Sequence, residues 1–305
     1  MKKLFVLLVA LVFASCSQDQ FESSNPAAES PLSVLEGDLL SYKDDASFIK
    51  EYSALSEYKT KIELQNWISQ KGHRTLLNSI DESLVVQDSI FDSSKIIYSD
   101  AMKSIINADS KLKINGKVIW LEKGVFYVLP KNDFDKTSEE LISNKNNLEV
   151  YGSVQNDTKP SKIQKTSKTN TIEIPVINGE TRSYINDGPN SKRYYLTLFV
   201  ENVIVNNYQT SKVFLKTAMD YRSCSFWRCT WKSDINTTRT LTFNVTVNCT
   251  WNLQVYNGET MNVTGSQTRL LASREGSGAP CSLNFLISGN ISTIGFNNYV
   301  WNQSF

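Results

Sequence analysis

The chain has 305 residues, of which 40% are hydrophobic, 11% aromatic and 21% charged, with a formal net charge of +1. That composition is globular and excludes a disordered or collagen-like chain, while the length admits two ordinary domains. The small net charge hides a division: residues 16–150 carry 15 basic and 22 acidic side chains, and residues 151–305 carry 15 and 9. Two independently soluble surfaces explain this best, ahead of two docking domains or a basic face for an acidic partner.

Lys2 and Lys3 precede an apolar run from Leu4 to Phe13, which ends in the small residues Ala14 and Ser15 before Cys16. A positive flank, a short apolar run and small residues at its end predict a signal peptide over residues 1–15. A spanning helix needs about 20 apolar residues, more than this segment supplies. The Ala14-Ser15-Cys16 ending resembles a lipobox, which implies cleavage before Cys16 and a diacylglycerol on its thiol. Phe13 departs from that pattern, since Leu is commoner at its place. Residues 16–31 are polar, with Ser, Asn, Pro, Ala and Glu and a single aromatic, Phe21. They read as a mobile tether. No second apolar stretch of spanning length follows, so the lipid on Cys16 is the expected membrane anchor.

Residues 32–150 are expected to form a helical α+β unit. Asp45 is placed to cap a helix whose apolar stripe is Phe48, Ile49, Tyr52 and Leu55. A second helix runs from about Lys59 to Lys71 with Ile62, Leu64, Trp67 and Ile68, and Gly72 ends it. A third begins near Ser79 and carries Leu84, Val85, Ile90, Ile96, Ile97, Met102, Ile105 and Ile106. The period then changes. Lys111–Ile114, Asn115-Gly116 and Lys117–Trp120 form a hairpin with the dipeptide that a type I′ turn favours. Glu122-Lys123-Gly124 makes a second turn before Val125–Leu129, and the result is a small β-meander.

This order of a helix, a Trp67-bearing helix, Gly72, a long helix, Ile114-Asn115-Gly116 and an aromatic third strand resembles uncharacterised cell-envelope lipoproteins of gut-associated Bacteroidota. The resemblance covers roughly residues 32–300 through loose structural motifs. It implies a lipid-anchored protein on the periplasmic or outer face of the outer membrane, and it carries neither an activity nor a catalytic residue. Asp88-Ser89-Ile90 also resembles the O-glycosylation acceptor of that phylum.

Residues 151–170 read as a linker or long loop, with Lys159, Lys162, Lys165 and Lys168 as solvated spacer charges rather than a tract for an anionic polymer. From residue 171 to 305 an antiparallel all-β sandwich is expected. Leu241 to Trp251 alternates strictly, with Thr or Asn at every even position. Ile172–Val176 also alternates, and Pro175 places it at an edge. Tyr194–Val205, Val213–Met219, Leu283–Ile287 and Tyr299–Phe305 are further strands. The last resembles the closing strand of an outer-membrane barrel, but the Thr and Asn faces argue for a sandwich.

Four cysteines remain after Cys16: Cys224, Cys229, Cys249 and Cys281. An even number in an exported chain predicts two disulfides, preferentially Cys224–Cys229 closing a tight turn and Cys249–Cys281 joining two strands. If residues 224–229 formed one straight strand, the two thiols would lie about 16 Å apart, and each would pair elsewhere. Zinc fits less well, because the spacing is Cys-x4-Cys and the one histidine, His73, is remote in sequence. No metal, no cofactor and no nucleic-acid partner is expected.

Catalytic signatures are sparse. There is no Gly-x-Ser-x-Gly, no phosphate loop and no dinucleotide fingerprint. His73 reads as a surface or capping residue. Asp220, Asp234, Glu201, Glu259 and Glu275 are candidates for a glycosidase pair, although solvated surface is the better reading. Trp227 and Trp231 are candidate stacking platforms for sugar rings, whereas Trp251 continues an apolar strand face and reads as core. A non-enzymatic binding protein for a glycan or an envelope protein is the leading expectation. A polysaccharide hydrolase and a structural subunit of an envelope assembly are its rivals.

Overall fold

Two short strands, β1 (Ser33–Glu36) and β2 (Leu39–Tyr42), open the fold as a hairpin turned at Gly37, whose φ is +66°. They belong to a computed structural model that describes residues 31–82, 97–157, 171–174, 180–185, 192–249, 252–275, 284–293 and 299–304. Helix α1 (Asp45–Ser56) follows, capped by Asp44 rather than Asp45: the Asp44 carboxylate accepts from the Ser47 amide at 2.7 Å. Phe48, Ile49, Tyr52 and Leu55 are buried along its stripe, as their spacing predicts. Helix α2 (Lys61–Lys71) begins in a reciprocal cap between Thr60 and Glu63 and ends at Gly72 in the left-handed conformation, φ +77°. Its buried stripe is Leu64 and Ile68; Ile62, expected on that stripe, points away and is 72% exposed. The third expected helix begins earlier and is short: α3 spans Leu76–Ser79, and α4 (Asp100–Ile105) buries Ala101, Met102 and Ile105. Leu84 to Ile96, with Asp88-Ser89-Ile90 among them, lie outside the described residues.

The meander is β3 (Lys111–Ile114), β4 (Lys117–Glu122) and β5 (Val125–Val128), antiparallel in that order. Asn115 and Gly116 have φ of +51° and +74°, and Lys123 and Gly124 have +46° and +78°, so both turns carry the two positive values that type I′ requires. Strand β2 joins β3 in parallel, and the crossover between them carries α1 to α4 among the described residues. Four consecutive apolar residues in β4 then bury both faces of the sheet. Ile119 and Leu121 meet Phe48, Leu112 and Phe126 on the helical side. Val118 and Trp120 meet Leu129 and Leu141 on the other, where α5 (Ser138–Ile142) closes the face. The Trp120 indole donates to Ser138 Oγ at 3.1 Å.

The sheet does not stop where the linker was expected. Strand β6 (Glu149–Asp157) pairs with β5 on one side and, on the other, with Val200–Val205 of β9 (Lys192–Val205). Gly152 is required at that crossing, because a Cβ there would stand 2.2 Å from the Ile204 carbonyl oxygen. Short strands β7 (Thr171–Ile174) and β8 (Glu180–Ile185) continue the layer, with β8 on β9 and, among the described residues, β7 paired to β8 alone; Pro175, read as the mark of an edge, lies outside the described residues. Strand β9 turns through Asn206 (φ +48°) and Asn207 into β10 (Tyr208–Ser225), and fourteen residue pairs join the two.

This long hairpin is a spine: β6 and β8 lie end to end along β9, while β14 (Gln267–Glu275) and β11 (Arg228–Ser233) lie end to end along β10. Strands β12 (Thr238–Cys249), β13 (Asn252–Thr264), β15 (Asn284–Thr293) and β16 (Tyr299–Ser304) make a second, four-stranded antiparallel sheet. The protein is therefore β-rich. Its twelve-stranded mixed sheet runs from the N-terminal meander straight into the C-terminal strands, and Leu32–Phe305 form one compact unit.

One buried carboxylate fastens the helices to the spine. Glu201, on β9 and fully buried, accepts from the Tyr52 hydroxyl at 2.6 Å, the Ser99 hydroxyl at 2.6 Å and the Ser99 amide at 2.8 Å. Two further clamps hold the same short segment. The Asn156 side chain exchanges hydrogen bonds with the backbone of Ile97, and Asp100 exchanges them with Thr268 on β14. Burial pushes the Glu201 carboxyl above its ordinary range, although the bonds from Ser99 and Tyr52 pull it down. Replacing Glu201 by Ala strands three buried donors, and a loss of about 3 kcal/mol is expected. Glu201→Gln keeps one acceptor oxygen and should lose about half as much. Thermal unfolding followed by circular dichroism measures both; equal melting temperatures for the wild type and Glu201→Ala would show that the knot carries no weight.

Candidate functional site

The most exposed aromatic side chains among the described residues lie where β10 outruns its neighbours. Strand β14 leaves β10 at Thr217, and the last β9 residue paired with β10 is Lys192, opposite Tyr221. From Arg222 to Ser225, β10 pairs only with β11 among the described residues. The two strands form a ribbon that reaches on the order of 15 Å beyond the spine. Every residue from Tyr221 to Lys232 is exposed except Ser223 and Trp231, which are half-buried. A two-stranded ribbon is marginal alone in water. Here Cys224 and Cys229 stand directly opposite each other, with Cα atoms 4.0 Å apart, and their sulfurs are bonded.

Beyond the disulfide the chain turns through Phe226 and Trp227, which are 102% and 98% exposed. Phe226 has φ +44°, a value that the first central residue of a II′-type turn adopts and that glycine adopts most easily. A bulky residue there costs about 1–3 kcal/mol, which the adjacent disulfide helps to hold in place. Ladder parity puts Arg222, Trp231 and the disulfide on one face of the ribbon, and Tyr221, Lys232 and Arg228 on the other. The arm thus carries three cations and no carboxylate from Tyr221 to Lys232.

Its base is fixed by charge. The Arg193 guanidinium lies 3.8 Å from the Trp231 ring centroid and 3.4 Å from the buried Asp220 carboxylate, which also accepts from the Tyr195 hydroxyl at 2.9 Å. At the foot of β11, Asp234 accepts from Lys192 at 3.0 Å and from Thr237 at 2.8 Å. Burial pushes its carboxyl up, and these partners hold it below the ordinary range nonetheless. One ring face of Trp231 is therefore occupied, whereas Trp227 is free of the body.

The other sequence candidates fall as follows. Cys16, Cys281, Trp251 and the four linker lysines lie outside the described residues; Cys249 ends β12, and for it and Trp301 only the backbone is described. The carboxylates expected on solvated surface are not all there. Glu201 and Asp220 are fully buried and Asp234 nearly so, while Glu259 meets Arg269 at 3.2 Å and Glu275 meets Lys212 at 3.9 Å. Each is engaged by a cation or a hydroxyl. His73, expected at the surface, is buried: its Nε2 donates to the Ser104 carbonyl at 2.8 Å, and its ring meets the Trp67 indole edge-on. Among the described residues no cluster of His, Cys, Asp and Glu is arranged to hold a metal ion. What the sequence reading missed was Phe226 and the arm's cations. Their signal was Cys224-Ser-Phe-Trp-Arg-Cys229, two aromatics centred between two cysteines. No family model, no curated protein and no solved structure matches this chain.

Two outcomes follow from this geometry. Replacing Cys224 and Cys229 together by Ser should lower global stability by less than about 2 kcal/mol, since the closed loop is short and the arm lies outside the core. Trypsin should then cut at Arg222, Arg228 or Lys232 sooner than in the parent, and first cleavage elsewhere would contradict the arm's independence. Burial holds His73 below its ordinary pKa, so its contribution to stability is complete above pH about 6.5 and falls as the pH drops through the folded value. His73→Gln keeps a donor for Ser104 and removes that titration. Its melting temperature should decline less than the parent's from neutral to mildly acidic pH; parallel profiles would show that His73 titrates freely.

Proposed function

We propose that this protein is a cell-envelope lipoprotein, held by a lipid on Cys16 through the 16–31 tether, that works by binding rather than catalysis. The observation that carries the reading is the β10–β11 arm: a stapled ribbon standing off the body, with Phe226 and Trp227 wholly exposed at its tip. Large apolar patches are rare on soluble surfaces and mark places of contact. An indole exposed on both faces stacks on sugar rings or fills a pocket in a protein, so a glycan or an envelope protein is the ligand class. Among the described residues no helix is long and apolar enough to cross a membrane. The hydrolase alternative is disfavoured by its candidates, since Glu201, Asp220 and Asp234 are occupied in structural contacts. The assembly alternative keeps one observation in its favour: among the described residues β16 pairs with β15 alone and ends the four-stranded sheet, an edge of the kind to which a strand can add.

A binding screen of residues 17–305 against neutral and acidic polysaccharides, at low and high salt, tests the reading. Binding that survives salt and falls at least about tenfold in Trp227→Ala is expected for a stacking site. Binding that salt abolishes would instead assign it to the basic surplus of residues 151–305. No binding to any polysaccharide would remove the glycan from the ligand classes.

A further inference from the structure

The tip of the arm has the chemistry of a membrane-interface probe, and we propose that its ligand is the surface of an anionic lipid bilayer. This rests on the arm being the protein's contact element and names what it contacts. Phe226 and Trp227 stand fully exposed at the turn of a projecting ribbon, and a protruding apolar knob suits a soft medium better than a flat sugar platform. The stacking platform is also incomplete, because Arg193 occupies a face of Trp231.

Amphipathic aromatic rings settle at the level of lipid headgroups, where the ring is apolar and the indole N–H stays wet. Cations stand at the right height behind them. Arg228 follows the tip directly, Arg222 lies on the opposite face, and Lys232 is near the base. With no carboxylate among these residues, nothing on the arm opposes a negatively charged surface.

The turn itself argues that the aromatic tip is kept for contact. Phe226 holds a positive φ at which glycine would cost less, so folding alone does not select a bulky side chain there. The disulfide two residues behind the tip keeps the knob from collapsing back onto the ribbon. Insertion is then shallow: two rings enter the interface and the basic stem remains among the headgroups.

The test uses residues 17–305, which keep the whole compact unit and lack the lipid. Vesicles of phosphatidylcholine containing phosphatidylglycerol, and vesicles of phosphatidylcholine alone, are sedimented with the protein at low and high ionic strength. Binding is expected to the anionic vesicles, weakened by salt, and reduced at least about tenfold by Trp227→Ala. Arg222→Ser and Arg228→Ser should each reduce it about fivefold. Phe226→Gly should lose binding while its melting temperature holds, since glycine suits the turn. Absence of sedimentation, or equal sedimentation of the parent and Trp227→Ala, overturns the lipid assignment. If Trp227→Ala still lowers binding to polysaccharide or to intact cells in that case, the arm remains the contact element and only its ligand is reassigned. If it alters none of these, both readings fall.

Discussion

A single buried carboxylate joins the two kinds of structure in this protein. Glu201 sits on the sheet's central hairpin and gathers Tyr52 from α1 together with both hydrogen-bonding groups of Ser99 at the start of α4. Its neighbour in the ladder is Lys212, also without solvent access, whose ammonium donates to Ser273 and lies 5.5 Å from the Tyr52 ring centroid. Burying a charge is unfavourable unless its lone pairs are occupied, and here three donors converge on two oxygens. An apolar residue at 201 would pack, but it would not fix where the helices land. The carboxylate specifies one register of helix on sheet, and the clamps from Asn156 and Asp100 enforce the same placement.

That fixed core lets the rest of β10 do something else. The spine is secured along Thr210–Thr217 by β14 on one edge and β9 on the other, so its final residues need not contribute to burial. A strand held this firmly transmits its direction outward, and the arm inherits a defined orientation without a core of its own. The Arg193–Asp220–Tyr195 cluster with Trp231 marks where body gives way to arm. A cation stacked on an indole resists lateral swing at the base, while the disulfide resists fraying near the tip.

Much of the architecture was legible in the sequence. The buried stripe of α1, the left-handed end of α2 at Gly72 and both turns of the meander follow from residue spacing and glycine placement, because those signals are local. The strands β1 and β2 were not legible, since four residues each leave little room for alternation. Strand β6 was hidden for a different reason. The polar, lysine-rich composition read as a linker describes residues 158–170, but the residues before them, Tyr151 and Val154, belong to a strand whose partners on β9 lie 43 to 53 residues further on. Long-range pairing leaves no local trace. The buried positions of Glu201 and His73 were likewise hidden, because a carboxylate between apolar strand residues looks the same whether its partners come from solvent or from a helix 149 residues away.

The site itself was half legible. Two cysteines separated by four residues signalled a turn only once a hairpin was assumed, and Trp227 stood out as one of six indoles. What no periodicity reveals is that β10 continues past its neighbours, for that depends on where β9 and β14 end. The charge division of the chain gains a physical meaning from the same fact. The arm supplies three of the 15 cations in residues 151–305 and none of the nine acids, so it places a net +3, half of that segment's surplus, on a ribbon that projects past the spine. A charge placed at the end of a stiff ribbon meets a partner surface before the body does, and the field that steers the encounter then acts on the element that completes it.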